Sequence, residues 1–161
     1  MSKLKDCQFI KITIDGKDVA GSSEEKKYIN WMEGFAPKGI TSYAYDDGAG
    51  FESVHLSVLA TKDTSTLFEK YLQRGYKNIN ITTVYRGSDK HNKDYEIQRT
   101  VFEDCHFLGM GFHKGEDGLF IDFTFSFTGS VEVTFNVPNA KATGLDKIGP
   151  INYGIPEKTH L

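Results

Sequence analysis

Reactive side chains are scattered along this sequence, and their spacing limits the chemistry they can share. Cys105, His106 and His113 lie close enough together to suggest a metal site. They lack the CxxC or HxxxH spacing of zinc sites, and neighbouring strand positions such as 105 and 106 face opposite ways. The acidic pairs Asp46-Asp47, Glu103-Asp104 and Glu116-Asp117 offer carboxylates for general acid and base work. Adjacent carboxylates in turns are ordinarily solvated loop chemistry, not a catalytic pair. "GMGFHKGEDG" (109–118) is rich in glycine. Its glycines flank a hairpin pattern instead of opening a helix, which argues against a phosphate cradle. No GxSxG elbow, Walker loop or GxGxxG occurs. Asn80-Ile81-Thr82 matches a glycosylation acceptor but falls inside strand-patterned sequence. The expectation is a chain without catalytic residues, metal or cofactor, and not an enzyme.

Composition narrows the class. The 161 residues are enough for one domain with a real core, expected to span 1–161 with a less regular tail over 138–161. Aromatic residues make up 13% of the chain, with 12 Phe and 8 Tyr, which favours strands over disorder. A net charge of −3 gives no general attraction for nucleic acid or anionic lipid. Cys7 and Cys105 are too few for a disulfide framework and read as reduced thiols. "MSKLKDCQFIKITIDG" has neither the apolar run nor the cleavage site of a secretory leader, and no segment approaches a membrane helix. The protein is expected to be made soluble in the cytosol, and to leave the cell, if it does, without a cleaved signal.

The elements follow from periodicity. "FIKITIDG" alternates Ile10, Ile12 and Ile14 against polar neighbours and ends at Asp15-Gly16. "GSSEEKK" (21–27) is a polar loop, and "YINWMEGF" (28–35) reads as a strand with Ile29, Trp31 and Phe35 inside. Residues 36–50 form a long extended loop of weak periodicity, of the length usually kept for function or disorder. "VHLSVLATK" (54–62) alternates again, with Val54, Leu56 and Val58 on one side. One short helix is expected at about 66–74. Thr66 and Glu69 have capping-box spacing, Leu67, Phe68, Tyr71 and Leu72 share a face, and Gly75 stops it. Nine residues would not stay helical alone in water, so the helix must dock on β-structure. Strands follow at 79–86, 95–102 and 105–112, with turns at 87–93 and 113–118.

The clearest pattern is "LFIDFTFSFTGSVEVTFNV" (119–137), apolar at odd positions and mostly polar at even ones. Parity survives Gly129-Ser130, which excludes a two-residue hairpin there. A straight strand of this length would span about 60 Å, against a radius of gyration of about 15 Å. A strand bent at Gly129, of the kind that closes barrels, fits better than a three-residue hairpin. Its even positions (Asp122, Thr124, Ser126, Glu132, Thr134, Asn136) make a polar face that meets water or lines an aqueous cavity. The fold class is mainly β: a small barrel or sandwich of antiparallel strands with one short helix.

Taken in order, these segments resemble the Hcp family, the tube subunits of bacterial type VI secretion systems. The resemblance covers roughly residues 8–137. It rests on Asp15-Gly16 ending the first strand, Ser22 and Ser23 before a strand carrying Ile29, and then Asp63, Ser65, Leu67, Gly75, Tyr85 and Arg86. Those last residues stand at strand end, helix cap, helix core, helix stop and the aromatic-Arg end of the next strand. The segment "DGKDVAG" departs from the family pattern, and the tail from Pro138 follows none.

The resemblance implies homohexameric rings stacked into a hollow tube, driven by a contractile sheath beneath a spike protein, with small effectors carried in the lumen. It also implies a product made in the bacterial cytoplasm and secreted without a cleaved signal. A tail-tube protein of a contractile phage-like particle shares that architecture and is the nearest alternative, followed by a monomeric small-ligand barrel. In an assembling subunit, the expected contact loop is 36–50 with Tyr43, Tyr45 and Phe51, and Asp46 and Asp47 seek Lys or Arg on a neighbour. Nucleic acid and membrane insertion are not expected.

Overall fold

A computed structural model describes residues 7–37, 39–73, 78–88, 94–138, 144–155 and 159–160. Six strands close into an antiparallel barrel: β1 (Gln8–Ile14), β3 (Met32–Phe35), β6 (Val54–Leu59), β7 (Ile79–Ser88), β8 (Asp94–Gly115) and β9 (Gly118–Phe127). Around the barrel the order is β8-β7-β1-β3-β6-β9, and β9 pairs back onto β8. The alternating positions meet inside. Ile12 lies opposite Ile81, and Leu56 opposite Phe123, all fully buried. Phe102 stands edge-on to Phe125 with centroids 5.2 Å apart. Each such side chain contributes about 1.5–3 kcal/mol by leaving water.

The long pattern at 119–137 bends near Gly129, as expected, and does not fold back as a hairpin. β9 and β10 (Ser130–Pro138) run end to end along the single strand β8, with the break at Thr128-Gly129. The partner yields at the same place. Asp104 of β8 adopts φ +56, and the carbonyls of Asp104 and Glu103 accept the Thr128 and Gly129 amides. Beyond the break the outer neighbours differ: β9 pairs with β6 and closes the barrel, whereas β10 pairs with β11 (Leu145–Gly154). Residues 95–102 and 105–112, expected as two strands, are therefore one strand of 22 residues kinked in the middle.

Three further expectations change. Residues 28–31 are not strand. Asn30, at φ +65, reverses the chain, and Tyr28 stacks on Phe9 on the barrel's outside with centroids 4.5 Å apart. The parity expected there is inverted: Met32 is buried, while Ile29 is 58% exposed and Phe35 is exposed. The 36–50 loop contains a separate two-stranded ribbon, β4 (Ser42–Tyr45) and β5 (Gly48–Phe51), hidden from periodicity because neither strand has a buried face. The tail contains β11 and the short β12 (Thr159–His160). β11 lies at the outside of the sheet with seven consecutive exposed residues, so it had no alternation to show.

The helix α1 spans Ser65–Leu72. Thr64, not Thr66, is the cap residue, and it is itself helical at φ −70. Its hydroxyl consequently turns back, accepting from the Thr61 amide at 2.8 Å and donating to the Thr61 carbonyl at 2.7 Å. Leu67 seals into the core, and Phe68 meets Phe112 of β8 edge-on at 5.2 Å. The stop expected at Gly75 lies outside the described residues.

Candidate self-association surface

The β4–β5 ribbon presents the residues expected to make contacts. Tyr45 pairs with Gly48 across a two-residue turn made of Asp46 and Asp47. Tyr43 and Tyr45, two residues apart, share a face, and their rings are 6.3 Å apart. Tyr45 is 62% exposed and lies across the bare backbone of Gly50, where an added Cβ would come within 2.3 Å of its ring. Glycine at 50 thus sets the pose of that tyrosine. The Tyr43 hydroxyl donates to the Glu52 carboxylate, and that hydrogen bond raises the phenol pKa above its ordinary value.

Phe51 has a different role. Its ring packs against Phe127 at 5.2 Å and Tyr153 at 5.8 Å, and the Tyr153 hydroxyl accepts the Ala49 amide at 2.9 Å. Phe51 fastens the ribbon to the barrel. Tyr43, Tyr45, Asp46 and Asp47 are left as the exposed tip.

The signature residues separate into two groups. Asp15 and Gly16, at φ +52 and +79, form the tight turn from β1 into β2 (Lys17–Asp18), the backbone twist that a two-residue hairpin prefers. Asn78 donates to the Asp15 carboxylate at 3.2 Å. Asp15 and Asp63 then line one cleft of about 440 Å³, together with Lys17, Asp18, Thr66 and Lys70. Ser65 donates to the Lys62 carbonyl at 2.9 Å. Tyr85 and Arg86 lie apart, near the C-terminal end of β7. The Arg86 guanidinium sits 5.0 Å over the Phe9 ring and 3.3 Å from Glu25.

Sequence reasoning missed a polar network beside Arg86. Tyr28 donates to Glu96 at 2.8 Å, Arg99 donates twice to the same carboxylate at 2.7 and 3.0 Å, and Arg99 lies 5.6 Å over Trp31. Burial, reinforced by the bond to Glu96, pushes the Tyr28 phenol up, while the Arg99 hydrogen bonds hold Glu96 below the ordinary carboxylate range. Beside the network lies a second cleft, of about 330 Å³, lined by Glu25, Lys26, Lys27, Tyr28, Arg86, Tyr95 and Glu96. Its parts come from residues almost seventy apart, and no local motif connects them.

Three histidines lie along one face. His55 meets Thr124 at 3.2 Å, His106 meets Ser126 at 2.6 Å, and His113 meets Asp122 at 2.5 Å, all on the polar side of β9. Cys105 points into the barrel instead, where burial drives its thiol pKa upward. Among the described residues, no three His, Cys, Asp or Glu side chains gather in a group that would hold a metal ion. No helix among them is long and apolar enough to cross a membrane.

No family model matches this chain, and no curated protein matches it by sequence. The three-dimensional shape does match. The crystal structure of Hcp1 from Salmonella typhimurium superposes with a TM-score of 0.69 at 16% identity, covering 96% of this chain and 99% of that one. The fold is the Hcp fold. A structure described as a type six secretion system protein gives a TM-score of 0.72 at 13% identity, over 95% of this chain and 99% of that one. A type VI secretion system effector from Yersinia pestis gives 0.62 at 20% identity, over 91% and 99% of the two chains. The expected Hcp architecture is therefore present: a barrel of antiparallel strands carrying one short helix.

Proposed function

We propose that this protein is a structural, self-assembling subunit of a type VI secretion tube. Its rings are homohexameric, stack head to tail, and are secreted with small effectors held in the lumen. The observation that carries this reading is the Hcp match running almost end to end in both chains. It spans 96% of this chain and 99% of that one.

The surface supports assembly. Leu72 of α1 and Leu108, Phe112 and Leu119 of β8 and β9 are exposed apolar residues in one set of elements, and Val137, Leu145, Ile148 and Ile151 are exposed on β10 and β11. Apolar exposure on two different sets of elements suits a heterologous contact, in which one surface meets the other on a neighbour and a ring closes. The interior argues against a small-ligand barrel, because its inward positions are filled by side chains. The cavity beside Gln8, Thr100 and Phe102 measures about 20 Å³, room for about one water and far below the roughly 300 Å³ of a small-molecule site.

Light scattering combined with electron microscopy of the purified protein tests the reading. Annular particles and a mass several times that of the chain are expected. A strictly monomeric species from micromolar to millimolar concentration would overturn it.

A further inference from the structure

The ribbon tip is acidic, and the two clefts described above differ in the charge they would offer it. The cleft beside α1 brings Asp15, Asp18 and Asp63 together with Lys17 and Lys70, and Lys11 pairs with Asp18 at 3.6 Å, so its charges balance. An acidic tip would find no net attraction there. In the cleft beside Tyr28, each carboxylate is already matched with an arginine: Glu25 with Arg86 at 3.3 Å, and Glu96 with Arg99 at 2.7 Å. The exposed Lys26 and Lys27 therefore set its net charge, which is positive on a chain that is negative overall. Tyr28 and Tyr95 add aromatic lining.

We propose that the Asp46-Asp47 tip of one copy docks into the Lys26-Lys27 cleft of a neighbouring copy, with Tyr45 packing against Tyr95. The inference rests on the self-assembly reading and names a contact within it. Donor and receptor are different surfaces of the same chain, so each copy both gives and receives the contact. Within one copy the ribbon is fastened elsewhere, through Phe51 to Phe127 and Tyr153, and none of these residues lines the cleft. The Tyr45 ring, held in place across Gly50, brings area with little conformational freedom to lose. Because the attraction is between exposed charges, it is felt within about 8 Å at 0.15 M salt and weakens as salt rises.

Charge reversal tests the pairing. Three variants are compared with the wild type by sedimentation and electron microscopy at about 0.05 M and about 0.5 M salt: Lys26→Glu with Lys27→Glu, Asp46→Lys with Asp47→Lys, and all four together. These positions are exposed, and circular dichroism confirms that each variant is folded. Each double reversal is expected to weaken association at low salt by about tenfold or more, and the fourfold variant to recover most of it. Wild-type assembly with both double reversals unaffected would overturn the docking and leave the tube reading standing. A loss in only one double reversal, or two losses without recovery, would assign the charges to separate contacts and overturn it equally. A wild type that never assembles would overturn the tube reading itself, and the docking with it.

Discussion

Glu96 ties two distant parts of the chain together through one carboxylate. It accepts hydrogen bonds from Arg99 on its own strand and from Tyr28 in the loop after β2, and Arg99's bonds are the main reason its carboxyl stays charged to lower pH than the ordinary 4.5. A carboxylate whose folded pKa is depressed adds stability that is complete above its unfolded value and is lost as pH falls through the folded one. Glu96→Gln should cost about 1–3 kcal/mol at pH 7, because it removes a charged acceptor from two donors. In urea melts, that deficit should shrink as pH drops below about 4.5 and wild-type Glu96 takes up its proton. A deficit independent of pH would mean that packing, not charge, holds the network. Gly16 and Asp15 show the opposite kind of residue-scale information. Their turn could be read directly, since an Asp-Gly pair after an alternating strand predicts the backbone twist found there.

At the level of elements, the kink shared by β8 and the β9–β10 line is what lets one long strand pair with both the barrel strand β9 and the outer strand β10. Gly129 is required by close approach: an added Cβ would lie 2.9 Å from the Glu103 carbonyl oxygen and 2.6 Å from the Asp104 carboxylate. The side chain can swing away, but the backbone carbonyl, which also accepts the Gly129 amide, cannot. Gly129→Ala is therefore expected to destabilise the fold by about 1–3 kcal/mol, measured by thermal melting. The ribbon predicts the reverse. It forms its own two-stranded sheet and has exposed side chains along β4. Deleting 40–49 should leave the barrel's circular dichroism spectrum and melting cooperativity intact while weakening assembly. Loss of cooperative melting would show that Phe51, with its grip on Phe127 and Tyr153, needs the ribbon to hold it.

For the whole molecule, a closed barrel removes six strands from edge-to-edge association, and among the described residues the strands beyond β10 and the ribbon keep edges outside it. The core itself tolerates little change. Phe123→Ala, in the middle of the barrel, should cost about 3–5 kcal/mol in denaturant titrations and reduce assembly only through loss of folded protein. Variants at the tip or in the basic cleft should do the opposite, assembling poorly from fully folded chains. Measuring stability and particle mass on the same samples separates the two.

The sequence alone determined the elements whose two sides differ in burial. Ile10, Ile12 and Ile14, Val54, Leu56 and Val58, and the odd positions from Ile121 to Val131 announce their inward face because the barrel dries one side and wets the other. The parity across Gly129 excluded a two-residue hairpin, and the length of the pattern favoured the bend that the structure shows. Tertiary structure decided the rest. β4, β5 and β11 lack a buried face to read, and Tyr28 fills its place on Phe9 through a reversal that no period predicts. The expected tip residues stood next to one another in the sequence. The cleft proposed to receive them did not: β7–β8 pairing sets Arg86 beside Glu96, and residues 25–28 join them only through Tyr28 on Phe9 and Glu25 on Arg86.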